Sequence, residues 1–80
     1  MARYVIKAFG ITREILGARE NVFELDGETV GSLRNALRKR YPSLLDIRSL
    51  MIAVNNNYAD DSLPISESDE IALIPPVSGG

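Results

Sequence analysis

The sequence predicts an α+β domain in which one main helix packs across one face of a four- to five-stranded sheet. Two observations predict this fold class. Short segments alternate with the period of two that is typical of β-strands, and one longer segment has the apolar spacing of a helix. Their order is two strands, a helix, and then two or three strands, which favours a sheet covered on one side. Eighty residues make one small domain, so a second domain is excluded.

The first two strands are predicted at residues 3–9 and 21–26, where apolar and polar side chains alternate. Lys7 marks one face of the first strand as the wetter one. Between the strands, Thr12 is predicted to cap a one-turn helix that ends at Gly17 in a left-handed conformation. Strands joined by so short a connection can pair antiparallel. The drier face of the first strand carries Tyr4, Ile6 and Ala8.

The main helix is predicted to begin after Thr29, a favourable N-cap residue, and to stop before Pro42. Proline pushes the residue before it out of the helical region, which is why the helix stops there. Apolar side chains recur at intervals of three and four residues, the spacing of one buried stripe. The stripe consists of Val30, Leu33, Leu37 and Tyr41.

The remaining strands are predicted to follow this helix. Residues 50–54 form a continuous apolar run of strand length, and the asparagines at 55–57 are typical of a turn, because asparagine tolerates left-handed dihedral angles. Tyr58 begins a short returning strand, and residues 71–74 form the last one. The prolines at 75–76 end it, because neither can donate a ladder hydrogen bond.

The composition excludes most kinds of catalytic and metal site. The chain has no cysteine and no histidine, and therefore no disulfide, thiolate ligand, thiol nucleophile or imidazole base. Nine basic against eleven acidic residues give a net charge of -2, which argues against a nucleic-acid partner. No apolar run approaches the roughly 20 residues that span a bilayer, and the N-terminus lacks the apolar stretch of a signal peptide. We therefore expect a cytoplasmic protein without a membrane partner.

Two charged clusters are interpreted as solvated surfaces. Basic residues near a helix C-terminus complement the helix dipole, so phosphate binding is the weaker interpretation of the first cluster. The second cluster fits no calcium loop, so no metal is predicted. The basic cluster consists of Arg34, Arg38, Lys39 and Arg40, and the acidic cluster of Asp60, Asp61, Glu67, Asp69 and Glu70.

Three apolar side chains from separate strands are predicted to form a docking patch. Alternation places Phe9, Tyr58 and Ile74 on the sheet face away from the helix. An exposed apolar patch on a small domain usually marks a partner, so we interpret the three residues as a docking surface. The alternative is that a loop covers them.

Residues 75–80 are predicted to form a protruding, flexible tail beyond a domain of residues 1–74. The two prolines stiffen its base, the valine offers one anchor, and the glycines have no side chain to obstruct a narrow channel. We expect the tail to present its terminal carboxylate inside the active site of another protein, and a chance Gly-Gly ending is the alternative. The tail consists of Pro75, Pro76, Val77, Ser78, Gly79 and Gly80.

The tail and the strand before it carry a family resemblance. Residues 71–80, Ile-Ala-Leu-Ile-Pro-Pro-Val-Ser-Gly-Gly, resemble the closing strand and Gly-Gly ending of the small sulfur-carrier subunits of molybdopterin synthase. That family belongs to the ubiquitin-like β-grasp superfamily, so the resemblance implies a mixed sheet of that fold. Ser68 stands where the family often has glycine. Supporting matches are Phe9 and residues 13–17, 29–31, Leu33 and 53–55.

The resemblance implies a cycle in which the chain is loaded and unloaded by other proteins. A ubiquitin-activating-type (E1-like) adenylyltransferase uses ATP to adenylate the Gly80 carboxylate, and sulfur from a persulfide then leaves a thiocarboxylate, with no permanently bound cofactor. The tail enters the large catalytic subunit, in an expected heterotetramer, and gives its sulfur to a cyclic pyranopterin phosphate to build the molybdopterin dithiolene. By the same resemblance, Arg13 is a candidate rim contact with the activating enzyme.

Other functions remain open at this point. The same thiocarboxylate can serve thiamine synthesis or tRNA thiolation. Activated Gly80 can instead be attached to lysine side chains, as ubiquitin is, and the chain would then be a protein modifier. The plainest alternative is a small interaction module whose tail is merely flexible.

Overall fold

The structure is a computed structural model that describes residues 2–47 and 50–76. It contains five strands, two α-helices and one 3-10 helix. The elements are β1 (Ala2–Ala8), α1 (Ile11–Leu16), β2 (Glu20–Leu25), α2 (Val30–Arg40), the 3-10 helix (Pro42–Asp46), β3 (Met51–Val54), β4 (Asn57–Tyr58) and β5 (Ile71–Ile74).

The five strands form one mixed sheet in the order β2-β1-β5-β3-β4. β1 and β5 pair in parallel at its centre, and the other three pairings are antiparallel. This arrangement, with α2 packed on one face, confirms the predicted α+β class and is the β-grasp fold that the resemblance implies. The sheet has the larger of the two predicted strand numbers, because the two-residue strand β4 returns beside β3.

The hydrophobic core lies between α2 and one face of the sheet. Val30, Leu33 and Leu37 are fully buried, which confirms the predicted stripe, whereas Tyr41 follows the helix as its C-cap and is only partly buried. Burying one such aliphatic side chain stabilises the fold by about 1.5–3 kcal/mol. The sheet contributes fully buried side chains from Ile6, Ile52, Ile71 and Leu73.

Local signals decide where α2 begins and ends. The Thr29 hydroxyl accepts a hydrogen bond from the Ser32 N–H at 3.2 Å, as expected of an N-cap. The helix ends at Arg40, before Pro42. The sequence did not predict that this proline also opens the 3-10 helix, in which Leu44 is fully buried against the core.

The connection between β4 and β5 is fastened to the start of α2. The Val30 N–H donates to the Leu63 carbonyl at 3.0 Å, and the Gly31 N–H donates to the Asp61 carbonyl at 2.8 Å. A β-carbon on residue 31 would lie 3.1 Å from that same carbonyl oxygen. This close approach explains a glycine in the first turn of a helix, where alanine has the higher helix propensity.

Arg34 departs from the interpretation of the basic cluster as a solvated face. Its side chain is only 15% exposed, and its guanidinium contacts the Asp61 carboxylate at 3.0 Å. A second nitrogen donates to the Leu50 carbonyl at 2.6 Å. The solvated interpretation is therefore wrong for Arg34, which ties α2 to the β4–β5 connection and to the residue before β3.

Asp69 likewise departs from the interpretation of the acidic cluster as solvated turns. Its carboxylate accepts hydrogen bonds from the Ser66 N–H at 2.8 Å and the Asn55 side-chain amide at 2.9 Å. Asn55 and Asn56 have φ angles of 52° and 70°, which confirms the predicted turn. The Asp69 contacts, first the Ser66 N–H and then the Asn55 amide, hold the pKa of the Asp69 carboxyl below its usual range.

No helix within residues 2–47 and 50–76 combines the length and apolar character needed to cross a bilayer. In the same part of the chain, no three acidic side chains lie close enough together to hold a metal ion.

The lowered pKa of Asp69 predicts a change in acid stability for Asp69→Asn. A carboxyl whose folded-state pKa lies below its unfolded value of 3.8 contributes stability above pH 3.8 and loses it as the pH falls through the folded pKa. The wild type should therefore be more stable than the variant near neutral pH, and the difference should shrink below pH 3.8. Urea unfolding at a series of pH values measures it. Asp60→Asn is the matched control, and a pH-independent difference for Asp69→Asn would contradict the prediction.

Candidate functional site

The sheet face away from α2 carries a groove that runs along β5, from Glu70 just before the strand to Ile74 at its end. The structure brings the three predicted patch residues together along it: Phe9 is 48% exposed, Tyr58 is 67% exposed, and Ile74 is partly buried. The groove has a volume of about 440 Å³. An open depression that offers both apolar and polar side chains suits a side chain from another protein.

Two alanines make the floor of this groove. Ala53 on β3 and Ala72 on β5 face one another across the antiparallel pairing, and both line the groove. The larger side chains of Phe9, Tyr58 and Ile74 stand around them. The small side chains of the two alanines therefore leave space on this face between the larger side chains.

Sequence reasoning missed Met51 as a neighbour of the patch. Met51 pairs directly with Ile74 across β3 and β5 and is 39% exposed. Residues 50–54 are apolar throughout, so their composition does not distinguish the covered face from the open one. Alternation counted from Ala53 would have placed Met51 on the open face.

An ion pair closes one side of the groove. The Lys7 ammonium of β1 contacts the carboxylate of Glu70, which directly precedes β5. The hydrogen bond to Glu70 is the main reason that the pKa of Lys7 is raised above its ordinary value. Both side chains remain partly exposed, so the pair supplies a polar rim to an apolar groove.

The turn between β1 and α1 presents Phe9 to the groove. Gly10 has a φ of 57° and precedes α1 as its N-cap, so the prediction that Thr12 is the cap is wrong. Thr12 lies inside the helix with its side chain fully buried. Its hydroxyl accepts from the Phe9 N–H at 2.9 Å and donates to the Phe9 carbonyl at 2.5 Å. Thr12 therefore folds the turn back onto Phe9 from within the helix.

The other predicted site residues lie elsewhere or beyond the described chain. Arg13 is exposed on α1 and is not among the residues that line the groove. Pro75 is partly buried and Pro76 is exposed at the end of the described chain. The predicted tail residues Val77, Ser78, Gly79 and Gly80 lie outside the described residues.

The groove supplies apolar contacts, one ion pair and the side chain of Asn56, and the described residues that line it include no nucleophile paired with a base. Such a lining suits binding of another protein. Because Ile74 lines the groove, a protein docked there lies next to Pro75 at the base of the predicted tail.

Known proteins are similar to this chain over almost its whole length. The model of the ThiS family matches residues 6–80. The molybdopterin synthase sulfur carrier subunit of Mycobacterium tuberculosis is 36% identical over 83 residues and is covered completely, as is this chain.

Two solved structures show the same fold. Small archaeal modifier protein 1 from Methanosarcina acetivorans superposes with a TM-score of 0.80 at 30% identity, over 100% of this chain and 98% of that chain. A complex of subunits 1 and 2 of the molybdopterin-converting factor from Helicobacter pylori contains a chain that superposes with a TM-score of 0.64 at 27% identity, over 98% and 99% of the two chains.

The buried hydroxyl of Thr12 predicts a loss of stability for Thr12→Val. Valine keeps the shape of threonine but leaves the Phe9 N–H without its acceptor, at a cost of about 1–3 kcal/mol. Thermal unfolding should show a fall in Tm of at least about 4 °C. Thr12→Ser, which keeps the hydroxyl, is the control and should retain the hydrogen bonds. A Tm for Thr12→Val within error of the wild type would show that the Thr12 hydroxyl does not hold this turn.

Proposed function

The chain belongs to the ThiS family, and from this premise we propose that it is the sulfur carrier subunit of a molybdopterin synthase, acting in molybdenum cofactor biosynthesis. The observation that carries the proposal is similarity along the whole chain to a curated sulfur carrier subunit, within a family match that reaches Gly80. The groove supports it, because a carrier must be held by other proteins while its chain end reacts.

The reacting group of this proposal is the carboxylate of Gly80. A carboxylate is a poor electrophile, so it must first gain a good leaving group. A carboxylate oxygen attacks the α-phosphorus of ATP, a mixed anhydride with AMP forms, and pyrophosphate leaves. The chain has no cysteine that could hold sulfur on a side chain, so the main-chain carbonyl is the place for it.

Sulfur then replaces the adenylate in two balanced steps. The terminal sulfur of a protein persulfide attacks the Gly80 carbonyl carbon, AMP leaves, and an acyl disulfide forms. A thiol next attacks the donor's sulfur in that disulfide, which releases the Gly80 thiocarboxylate and leaves the donor and the thiol joined as a disulfide. The thiocarboxylate sulfur is a soft, readily ionised nucleophile that can attack a pterin precursor.

Two partners follow from this chemistry. An E1-like adenylyltransferase performs the activation, and a large catalytic subunit receives the loaded tail and passes its sulfur to a cyclic pyranopterin phosphate. The large-subunit proposal is supported by the similar chain in the two-subunit molybdopterin-converting factor complex. Because activation consumes ATP and uses thiol chemistry, we place the carrier in the cytoplasm.

The chain's own residues divide the work. The groove around Phe9, Tyr58 and Ile74 docks each partner, with Arg13 as a rim contact on neighbouring α1. One surface used in turn by two enzymes must release each of them, and apolar anchors with a polar rim suit such exchange. The tail residues that thread toward the partner's active site and orient Gly80 are Pro75, Pro76, Val77, Ser78 and Gly79.

The chain end gives the most direct test of the proposed function. We expect deletion of Gly80, or addition of one alanine after it, to abolish thiocarboxylate formation, because either change moves the terminal carboxylate by one residue from the position at which it is adenylated. The Tm should remain near that of the wild type, since residues beyond the last strand bury little surface. The measurement is mass spectrometry of protein isolated from cells that contain its partner enzymes, which detects the mass change when sulfur replaces one oxygen of the C-terminal carboxylate.

Two results would count against the sulfur-carrier proposal. Sulfur transfer by the extended chain without trimming would contradict the mechanism. Isopeptide-linked species of higher mass, with no thiocarboxylate, would indicate a protein modifier instead.

The groove gives a second test. Phe9→Asp places a charge in the proposed docking surface and should weaken binding of the large subunit by at least about tenfold, as expected at an apolar hot spot. Val22→Asp is the matched control, because Val22 is 59% exposed on β2 and does not line the groove. Titration calorimetry with the purified large subunit measures both. If the two variants bound the large subunit with equal affinity, the groove would not be part of the docking surface.

A further inference from the structure

The base of the tail rests on the turn that follows β1. A β-carbon built on Gly10 would lie 3.1 Å from Cγ of Pro75, which is closer than nine in ten real contacts of such an atom. Gly10 also has φ 57° and ψ −133°, a conformation that residues with a side chain rarely adopt. Glycine at position 10 therefore satisfies two separate conditions, and only one of them is local to the turn.

The parallel pairing of the central strands creates this contact. Ala8 pairs with Leu73 in the register of β1 and β5, so the two chains leave the sheet side by side. Two residues beyond each of these positions stand Gly10 and Pro75. The contact thus joins the segment that follows β1 to the segment that follows β5.

Rotation about the backbone bonds of Pro75 cannot relieve a steric clash with a side chain at position 10. The ring of Pro75 holds φ near -65°. Ile74 and Pro75 each precede a proline, which restricts both residues to extended conformations. Neither proline can donate a ladder hydrogen bond. A displacement of the Pro75 ring therefore changes the direction in which Pro76 leaves the sheet.

We propose that Gly10 is a positioning residue for sulfur transfer: its bare α-carbon seats the Pro75 ring and so sets the direction in which the tail leaves the sheet. This inference rests on the proposed function, because direction matters only if the chain end must reach a partner's active site while the groove is docked. The groove and the seat are adjacent, since Phe9 lines the groove and directly precedes Gly10.

The size of the effect follows from the geometry. A β-carbon at position 10 would force Pro75 to move by a few tenths of an ångström. Four residues lie between Pro75 and Gly80, and each residue spans at most about 3.5 Å, so a small rotation at the base shifts the average position of the chain end by about 1 Å. A displacement of that size at reacting atoms can lower a rate by up to about 100-fold.

A double-mutant cycle separates this contact from backbone strain. The variants are Gly10→Ala, Pro75→Ala and the double variant, assayed in the full chain with purified activating enzyme and ATP. Alanine at position 75 has no Cγ, so the double variant keeps the strained turn and removes the collision. Gly17→Ala is the matched control, because Gly17 has a φ of 85° and a β-carbon there would meet nothing within 4 Å.

We expect Gly10→Ala to lower kcat for pyrophosphate release by about tenfold or more with KM nearly unchanged, since the docking groove is intact. Pro75→Ala alone should lower kcat by about threefold, through loss of the seat. The double variant should match Pro75→Ala, so that Gly10→Ala costs nothing once the ring is gone. Gly17→Ala should lower the Tm and leave kcat unchanged.

Three results would overturn the inference. They are a wild-type kcat for Gly10→Ala, a double variant that is impaired by the product of the single effects, and a wild-type kcat for Pro75→Ala. The last decides the matter even if Gly10→Ala does not fold, since position 75 lies beyond the last strand. A loss in KM alone would indicate damage to the groove and would also count against a positioning role.

A measurement without partners keeps this inference distinct from the proposed function. If the wild-type chain is not activated by ATP and the enzyme, the proposed function fails and the kinetic cycle gives no signal. Residual dipolar couplings of the tail in the isolated protein should still differ between the wild type and Gly10→Ala, and should be the same for the wild type and Gly17→Ala. Identical couplings for the wild type and Gly10→Ala would overturn the seat on their own.

Discussion

The parallel pairing of β1 with β5 is the interaction on which the rest of this structure depends. It joins residues near the two ends of the chain, from Ile6 with Ile71 to Ala8 with Leu73, and it forms the centre of the sheet. β2 pairs with the outer edge of β1, and β3 and then β4 follow on the outer edge of β5. The same pairing sets Phe9 and Gly10 beside Ile74 and the base of the tail. The core and the surface beside Pro75 thus depend on the same strand pairing.

The sheet has two faces with different tasks, and residue size decides how each is used. The face toward α2 is filled by large aliphatic side chains, and burial of their apolar surface provides most of the stabilisation. The other face keeps Ala53 and Ala72 in its middle, which leaves a groove that residues 2–47 and 50–76 do not fill. A groove of this kind is compatible with a stable fold because the opposite face alone supplies the core.

Some charged side chains that the sequence analysis interpreted as solvated instead hold the loops of this protein in place. Arg34 and Asp61 fasten the long β4–β5 connection to α2, and Asp69 closes it onto Asn55. The groove and the tail base therefore stand on a framework whose loops are fixed by specific hydrogen bonds. Such a framework suits the proposed carrier role, in which the chain offers its partners a rigid docking surface.

Hydrophobic periodicity and the positions of turn-forming and capping residues were enough to predict the strands, the main helix with its buried stripe, the Asn55–Asn56 turn and the open face that carries Phe9. These features depend on neighbours within a few residues along the chain. The family resemblance supplied the β-grasp topology. Only the tertiary structure decided the register of β1 against β5, the place of Met51, the burial of Arg34 and Thr12, and the seat of Pro75 on Gly10. Each of these depends on atoms that are distant along the chain and meet only when the sheet closes, and no local pattern records such a meeting.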